Sequence, residues 1–231
     1  MLIAEDLLLL VTDDASGRLS VPAAQVDAGL GGANLVELTL MNKVDLSREG
    51  DEGKPGRLTV RDPSPTGDAV LDAALGIVIA HQGKKPSTVI RPLSKNLRRT
   101  LYERLVGSGV IRAEEDRILG VFPAHKWPAQ DARHEAEVRQ LVTQVLVQQT
   151  APDTRSAALI ALMHALRCEH KIVDPQHYGL SKRQLRERAE EVAKGNWASE
   201  AVRKTIDEMI AAIVAATSAA AAASAGSAGS G

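Results

Sequence analysis

Eight basic side chains lie between Gln82 and Arg112: Lys84, Lys85, Arg91, Lys95, Arg98, Arg99, Arg104 and Arg112. Glu103 is the single acid among them, so the stretch carries +7 in a chain whose net charge is −1. Ammonium and guanidinium groups gathered in this way bind anions, phosphates above all, through charge-assisted hydrogen bonds. Read as a helix over 94–106, the segment places Lys95, Arg98, Arg99 and Tyr102 on one face by i, i+3, i+4 spacing. Leu97, Leu101 and Leu105 lie on the adjacent face and anchor it. A solvated charged face is the plainer interpretation, but like charges at this density are mildly destabilising unless an anion neutralises them. Just downstream come Ile118, Leu119, Val121 and Phe122, with Trp127 close behind. On an exposed hairpin these would form an interfacial membrane site beside the cations: basic groups take headgroup phosphates and apolar tips enter the acyl boundary. Strand alternation turns half of those apolar side chains inward in either case.

Signals for catalysis are weak. The run Gly29-Leu30-Gly31-Gly32-Ala33-Asn34 resembles a phosphate loop only in its glycine count; it follows no strand and lacks the Lys-Ser/Thr pair. A helix packed closely against a neighbour explains it better. The six histidines are scattered, and His164 and His170 lack metal-ligand spacing and carboxylate company. His164 reads as a hydrogen-bonded core residue and Cys168 as a buried, inert thiol. Asp68 and Asp72, one helical turn apart, are explained by helix capping and the helix dipole. No nucleophile stands beside a base, so neither an enzyme, a cofactor nor a metal site is expected.

The scaffold that must carry the basic face is helical. The chain has 231 residues, 44% hydrophobic and 25% charged, the composition of an ordinary globular protein. Near-neutral total charge excludes a protein that coats nucleic acid by bulk charge. Five aromatic residues leave the core aliphatic and provide little for a base-stacking platform. One cysteine excludes a disulfide framework and points to a reducing compartment. No apolar run approaches the ~20 residues of a bilayer span, and the first residues lack the basic lead of a signal peptide.

Apolar periodicity predicts helices at 22–41, from Asp68 through Val78, at 94–106 behind Pro92, and at 135–149, 154–168, 181–193 and 198–216. The 154–168 helix is apolar nearly all round, which marks it as a buried central helix. Short strands are expected at Val44–Leu46 and Arg57–Val60. A second hairpin is expected with Val110-Ile111 and Ile118–Phe122 bracketing Arg112–Arg117 as its turn. The fold class is therefore mainly α, a helical domain around a buried central helix with short peripheral β-hairpins. One domain is expected over 1–216, and the Ala/Ser/Gly composition of 217–231 suggests a disordered tail.

In order along the chain stand Glu5-Asp6-Leu7-Leu8-Leu9-Leu10, Gly17-Arg18-Leu19-Ser20, Gly29-Leu30-Gly31-Gly32-Ala33, Glu37-Leu38, Pro65-Thr66-Gly67-Asp68 and Leu71-Asp72. Leu97-Arg98-Arg99 through Gly109-Val110-Ile111 and the hairpin Ile118–Pro128 continue the series. With these landmarks the sequence resembles the Golgi phosphoprotein 3 family, peripheral membrane proteins that bind phosphatidylinositol 4-phosphate. The resemblance implies a non-enzymatic adaptor with a shallow basic headgroup pocket and a hairpin that dips into the membrane. Eukaryotic members link Golgi glycosyltransferase tails to vesicle coats. Two basic pocket residues of the family fall on Lys95 and Arg98, while its pocket tryptophan falls on Pro22 and a further arginine on Gly31. The short, Ala-rich chain looks like a bacterial member.

The expected function is binding of anionic phospholipid headgroups, phosphatidylinositol 4-phosphate or similar, through Lys95, Arg98, Arg99 and Arg91. Ile118, Leu119, Val121 and Phe122 would contact the membrane. The expected place is the cytoplasm, at the cytoplasmic face of a membrane, and further partners would be a membrane-protein tail or a second copy of the chain. The alternative is a winged-helix-like nucleic-acid binder, because an amphipathic helix precedes a two-stranded ribbon twice. A hydrolase acting on lipid-linked substrates ranks last.

Overall fold

The first helix, α1 (Ile3–Val11), is buried along its whole length, including Glu5 and Asp6 in its first turn. Acids belong at a helix N-terminus, where the backbone N–H groups are unpaired. Glu5 accepts the Leu2 N–H at 2.7 Å, and Glu37 accepts that of Ile3 at 2.8 Å. α2 (Ala23–Leu40) follows Pro22 and is buried almost continuously from Ala28 to Thr39. It packs against α1 and four or more of the helices introduced below, so it is the centre of the fold. Its glycines make that crowding possible: a Cβ on Gly32 would lie 2.0 Å from the Ile213 side chain. The glycine run is thus a helix-crossing point, not a phosphate loop.

The structure is a computed structural model that describes residues 1–51, 53–118 and 122–227, with backbone alone for 115–118, 122–126 and 220–227. After α2 come β1 (Val44–Leu46) and β2 (Leu58–Val60), antiparallel with Val44 opposite Val60. α3 (Ala69–Ala80) is capped by Asp68, which accepts the N–H groups of Val70 and Leu71 at 2.8 and 3.3 Å. The capping role expected from sequence is therefore observed.

Pro92 does not start a helix. It sits inside α4 (Ser87–Ser94), and a separate α5 (Leu97–Gly107) follows. Between them Asn96 adopts a left-handed conformation at φ 60°, which asparagine tolerates better than most residues. The second hairpin also differs from expectation. β3 (Glu114–Ile118) pairs with β4 (Phe122–Lys126), Ile118 opposite Phe122, so the charged stretch expected as a turn is a strand. A two-stranded ribbon needs no apolar face to form its ladder, and polarity alone therefore misplaced the turn. Ile111 bridges Ala129 and extends the ribbon back to α5.

The last part of the chain holds α6 (Arg133–Gln148), α7 (Thr154–Ala165), the short α8 (Glu169–Ile172), α9 (Lys182–Lys194) and α10 (Glu200–Ser227). α7 is buried from Ser156 to Met163, as its all-round apolar pattern predicts. It ends before Cys168 because Arg167 turns left-handed at φ 51°. α10 packs along α2 and is helical to Ser227, past the point where composition suggested a tail. Alanine has the highest helix propensity, which suits that stretch. The protein is mainly helical, with two two-stranded sheets among the described residues.

Candidate functional site

The N-terminal half of α5, the loop after α1, the first turns of α2 and the residue that leaves β4 together enclose a cleft of about 590 Å³. Arg98 and Arg99 line it from α5, Arg18 from the loop and Asp27 from α2, with Tyr102 and Trp127 as aromatic walls. Tyr102 is 5% exposed and its ring stacks on Trp127, centroids 4.7 Å apart and planes 8° from parallel. Thr12 donates its hydroxyl hydrogen to the Leu8 carbonyl at 2.7 Å, so the Tyr102 hydroxyl donates to Thr12 Oγ1 at 2.9 Å. Burial pushes the Tyr102 phenol up from its ordinary value.

Gly17 joins the loop to the hairpin base. Its φ is +62°, and a Cβ there would lie 2.1 Å from the Trp127 backbone nitrogen. Ala129 N–H donates to the Asp14 carbonyl at 3.1 Å beside this contact. The base of the β3–β4 ribbon is therefore pinned against the cleft. Phe122 lies five residues before Trp127, about 17 Å away along an extended strand.

The arginines differ in freedom. Arg98 Nε is 3.1 Å from Asp27 Oδ1, each side chain about one-third exposed at 31% and 33%. Burial raises the Asp27 carboxyl above its ordinary value, with Arg98 pulling it back. Arg99 makes a looser, exposed contact to Glu103 at 3.6 Å, and Arg18 is exposed with no ion pair among the described residues. Arg91 and Lys95 are also exposed without ion pairs among the described residues, on α4 and just after it, and do not line this cleft. Of the expected hairpin residues, Leu119 and Val121 lie outside the described residues, and Ile118 and Phe122 are described by backbone alone.

Four of the eight cations in the basic segment, Arg98, Arg99, Arg104 and Arg112, are thus already paired. Arg104 bridges Glu5 at 3.0 Å and Asp68 at 2.8 Å, and Arg112 pairs with Glu114 at 2.6 Å. A second bridge, Arg155, holds Asp6 at 2.8 Å and Glu37 at 3.0 Å. The landmark acids Glu5, Asp6, Glu37 and Asp68 are therefore structural counter-charges. The Gly31 position is closed as well: a Cβ there would meet Ser94 Oγ at 2.6 Å, so α4 occupies the space in which a longer side chain would lie.

Other candidates resolve into structure. His164 Nδ1 pairs with Glu169 at 2.9 Å, and the buried Cys168 thiol, pushed up by burial, donates to the Met163 carbonyl at 3.4 Å. No group of three metal-ligating side chains occurs among the described residues. Sequence reasoning missed Arg18 and Asp27 as cleft residues. Arg18 stood in a landmark motif, whereas nothing in the sequence links Asp27 to Arg98.

A mainly helical protein with a basic cleft at the root of a β-ribbon is what the fold and the site define. The family model Golgi phosphoprotein 3 (GPP34) matches residues 3–209, and the chain belongs to that family. It is 26% identical over 209 residues to vacuolar protein sorting-associated protein 74 of Eremothecium gossypii, covering 75% of this chain and 62% of that protein. A VPS74-like protein of Dictyostelium discoideum is 25% identical over 185 residues, covering 74% of this chain and 71% of its own length. Neither relative is bacterial, so the bacterial expectation finds no support in them.

Proposed function

We propose that this protein is a non-enzymatic peripheral membrane adaptor that binds anionic phospholipid headgroups, of the phosphatidylinositol 4-phosphate type, in the cleft formed by Arg98, Arg99 and Arg18. The observation that carries the reading is the pinned junction of Gly17 and Trp127, which fixes the cleft to the root of the ribbon bearing Ile118 and Phe122. A headgroup in the cleft and an apolar ribbon end in the acyl boundary are then mutually compatible. Three cations near an acidic surface contribute roughly 1 kcal/mol each, about 3 kcal/mol in all, and apolar contact supplies the rest. Arg91 and Lys95, exposed near α4, add longer-range attraction. No helix among the described residues is long and apolar enough to cross a membrane, which suits attachment from the surface.

Family membership supports a role at Golgi membranes, and attachment at their cytoplasmic face is part of the proposal. The name of the Eremothecium relative connects that protein with vacuolar protein sorting, and a sorting adaptor that grips a membrane-protein tail is the corresponding role here. No observation favours the nucleic-acid alternative. Leu97, Leu101 and Leu105 of α5 are buried, which leaves that helix little surface for contacts to bases.

Vesicle sedimentation tests the reading. Phosphatidylcholine vesicles carrying phosphatidylinositol 4-phosphate should pull the protein down, and binding should weaken as salt shortens the Debye length. Equal sedimentation with phosphatidylcholine alone would refute it.

A further inference from the structure

The cations of the basic segment that remain unpaired among the described residues are Lys84, Lys85, Arg91 and Lys95, not the arginines of α5. Lys84 leads to a second cleft of about 590 Å³, between β2, the β1–β2 turn and the connection from α3 to α4. Strand alternation builds one wall: Leu58 is buried, so Arg57 and Thr59 turn the other way, with Arg61 following. Lys84 is fixed alongside, because Leu58 N–H donates to its carbonyl at 2.9 Å and Gly83 N–H donates to the Leu58 carbonyl at 2.8 Å. The turn is held by Ser47, whose hydroxyl donates to the Lys54 carbonyl at 2.7 Å and accepts the Arg57 N–H at 3.0 Å.

Among the described residues, four cations line this cleft, Lys54, Arg57, Arg61 and Lys84, against one carboxylate, Asp51. Arg61 is oriented by Asp45 at 2.9 Å, while Lys54, Arg57 and Lys84 have no ion pair among the described residues. This contrasts with the paired arginines elsewhere, at Arg104, Arg139 and Arg155. The cleft is more cationic than the one at Arg98, and its volume lies in the range of small-ligand sites.

We propose that this second cleft binds a multiply charged phosphate ester, with Arg57 gripping one phosphate and Lys54 and Lys84 neutralising it and a neighbouring phosphate. An arginine fork matches phosphate oxygens in pairs, and lysines act as mobile point charges. A phosphomonoester carries about −1.5 to −2, so three unpaired cations plus Arg61 match two phosphate groups better than one. The ester is either soluble or the headgroup of a second lipid. Lys84 lies three residues before α4, and the last residue of α4, Ser94, lines the first cleft, so the two sites are separated by roughly the 12 Å length of an eight-residue helix.

Calorimetric titration with soluble inositol 1,4,5-trisphosphate tests the proposal. Arg57→Glu with Lys84→Glu should weaken binding at least about tenfold, or 1.4 kcal/mol. Arg183→Glu with Lys194→Glu, exposed on α9 and outside both clefts, should leave it within about threefold. The milder pair Arg57→Gln with Lys84→Gln, checked by thermal melting, separates loss of charge from loss of fold. Absence of binding by the wild-type chain, or equal binding by the Arg57/Lys84 variants, overturns the proposal. Sedimentation with vesicles containing phosphatidylinositol 4,5-bisphosphate identifies the source. A loss in the Arg57/Lys84 variants supports a lipid headgroup; an unchanged pellet with lost titration supports a soluble ester. Failure of Arg98/Arg99 substitution to affect phosphatidylinositol 4-phosphate vesicles would count against the membrane reading of the first cleft, and leaves this test unaffected.

Discussion

Replacing Gly17 by alanine tests whether the ribbon is locked to the cleft. Two costs act there. A left-handed conformation at φ +62° costs an L-residue about 1–2 kcal/mol. The new Cβ would also stand 2.1 Å from Trp127 N and 2.8 Å from Trp127 C, both backbone atoms that no rotamer change can clear. The strand exit must move by about an ångström, straining two backbone bonds, Ala129 N–H to the Asp14 carbonyl and Arg112 N–H to the Pro128 carbonyl, at about 1 kcal/mol each. The sum is about 3–4 kcal/mol. Gly67→Ala is the control: its φ is +86° but nothing lies within 4 Å, so it should lose only the backbone term. At about 2–4 °C per kcal/mol for a chain of this size, Gly17→Ala should lower Tm by roughly 10 °C and Gly67→Ala by roughly 4 °C. Gly17→Ala should also lose binding to acidic vesicles at temperatures where it remains folded, and Gly67→Ala should not. Equal melting of the two variants would refute the backbone contact and the locked ribbon with it.

Three further outcomes are expected. Asp27→Asn releases Arg98 and should tighten binding to acidic vesicles about fivefold, the worth of one cation near the surface; weaker binding would show that Asp27 positions Arg98 for the ligand instead. Because burial raises the Asp27 carboxyl, wild-type binding should also strengthen as pH falls toward the carboxylate range, more than that of Asp27→Asn. Burial, together with a hydrogen bond to Asp14, pushes the Glu135 carboxyl up to about 7 from 4.5, with Arg139 opposing. The folded state therefore holds its proton more tightly than the unfolded chain. That stability is complete below about 4.5 and is lost as pH rises through 7. Urea unfolding at both ends of that window should show the fall, and Glu135→Gln should abolish it. Finally, Arg155→Ala leaves Glu37 buried without its cation and Asp6 with His134 at 2.8 Å as its remaining partner, and should destabilise by about 2–4 kcal/mol in urea unfolding, less than a fully buried bridge because Arg155 is 43% exposed.

Much of the scaffold is legible in the sequence because burial is written as periodicity. The all-round apolar pattern of α7, the Asp68 cap and the close packing of the α2 glycines all follow from local rules, and all are observed. Misreadings arose where local polarity was ambiguous. Pro92 was compatible with a helix start but lies within α4, and the charged run before Ile118 was compatible with a turn but forms β3. The candidate site was less legible for a different reason. A count of charges along the chain does not reveal which cations have partners on another helix. Arg98 meets Asp27 of α2, and Arg104 meets Glu5 of α1, so the positive excess shifts toward Lys84, Arg91 and Lys95. Tyr102 and Trp127 are separated in sequence by a whole ribbon, and only the fold stacks them.

The membrane reading rests most directly on the arginines of the first cleft. Sedimentation of Arg98→Glu with Arg99→Glu on phosphatidylinositol 4-phosphate vesicles should show a loss of at least about tenfold, since two favourable charges become two repulsive ones at about 1 kcal/mol each. A double variant that melts like the wild type and still binds these vesicles with wild-type affinity would contradict the account.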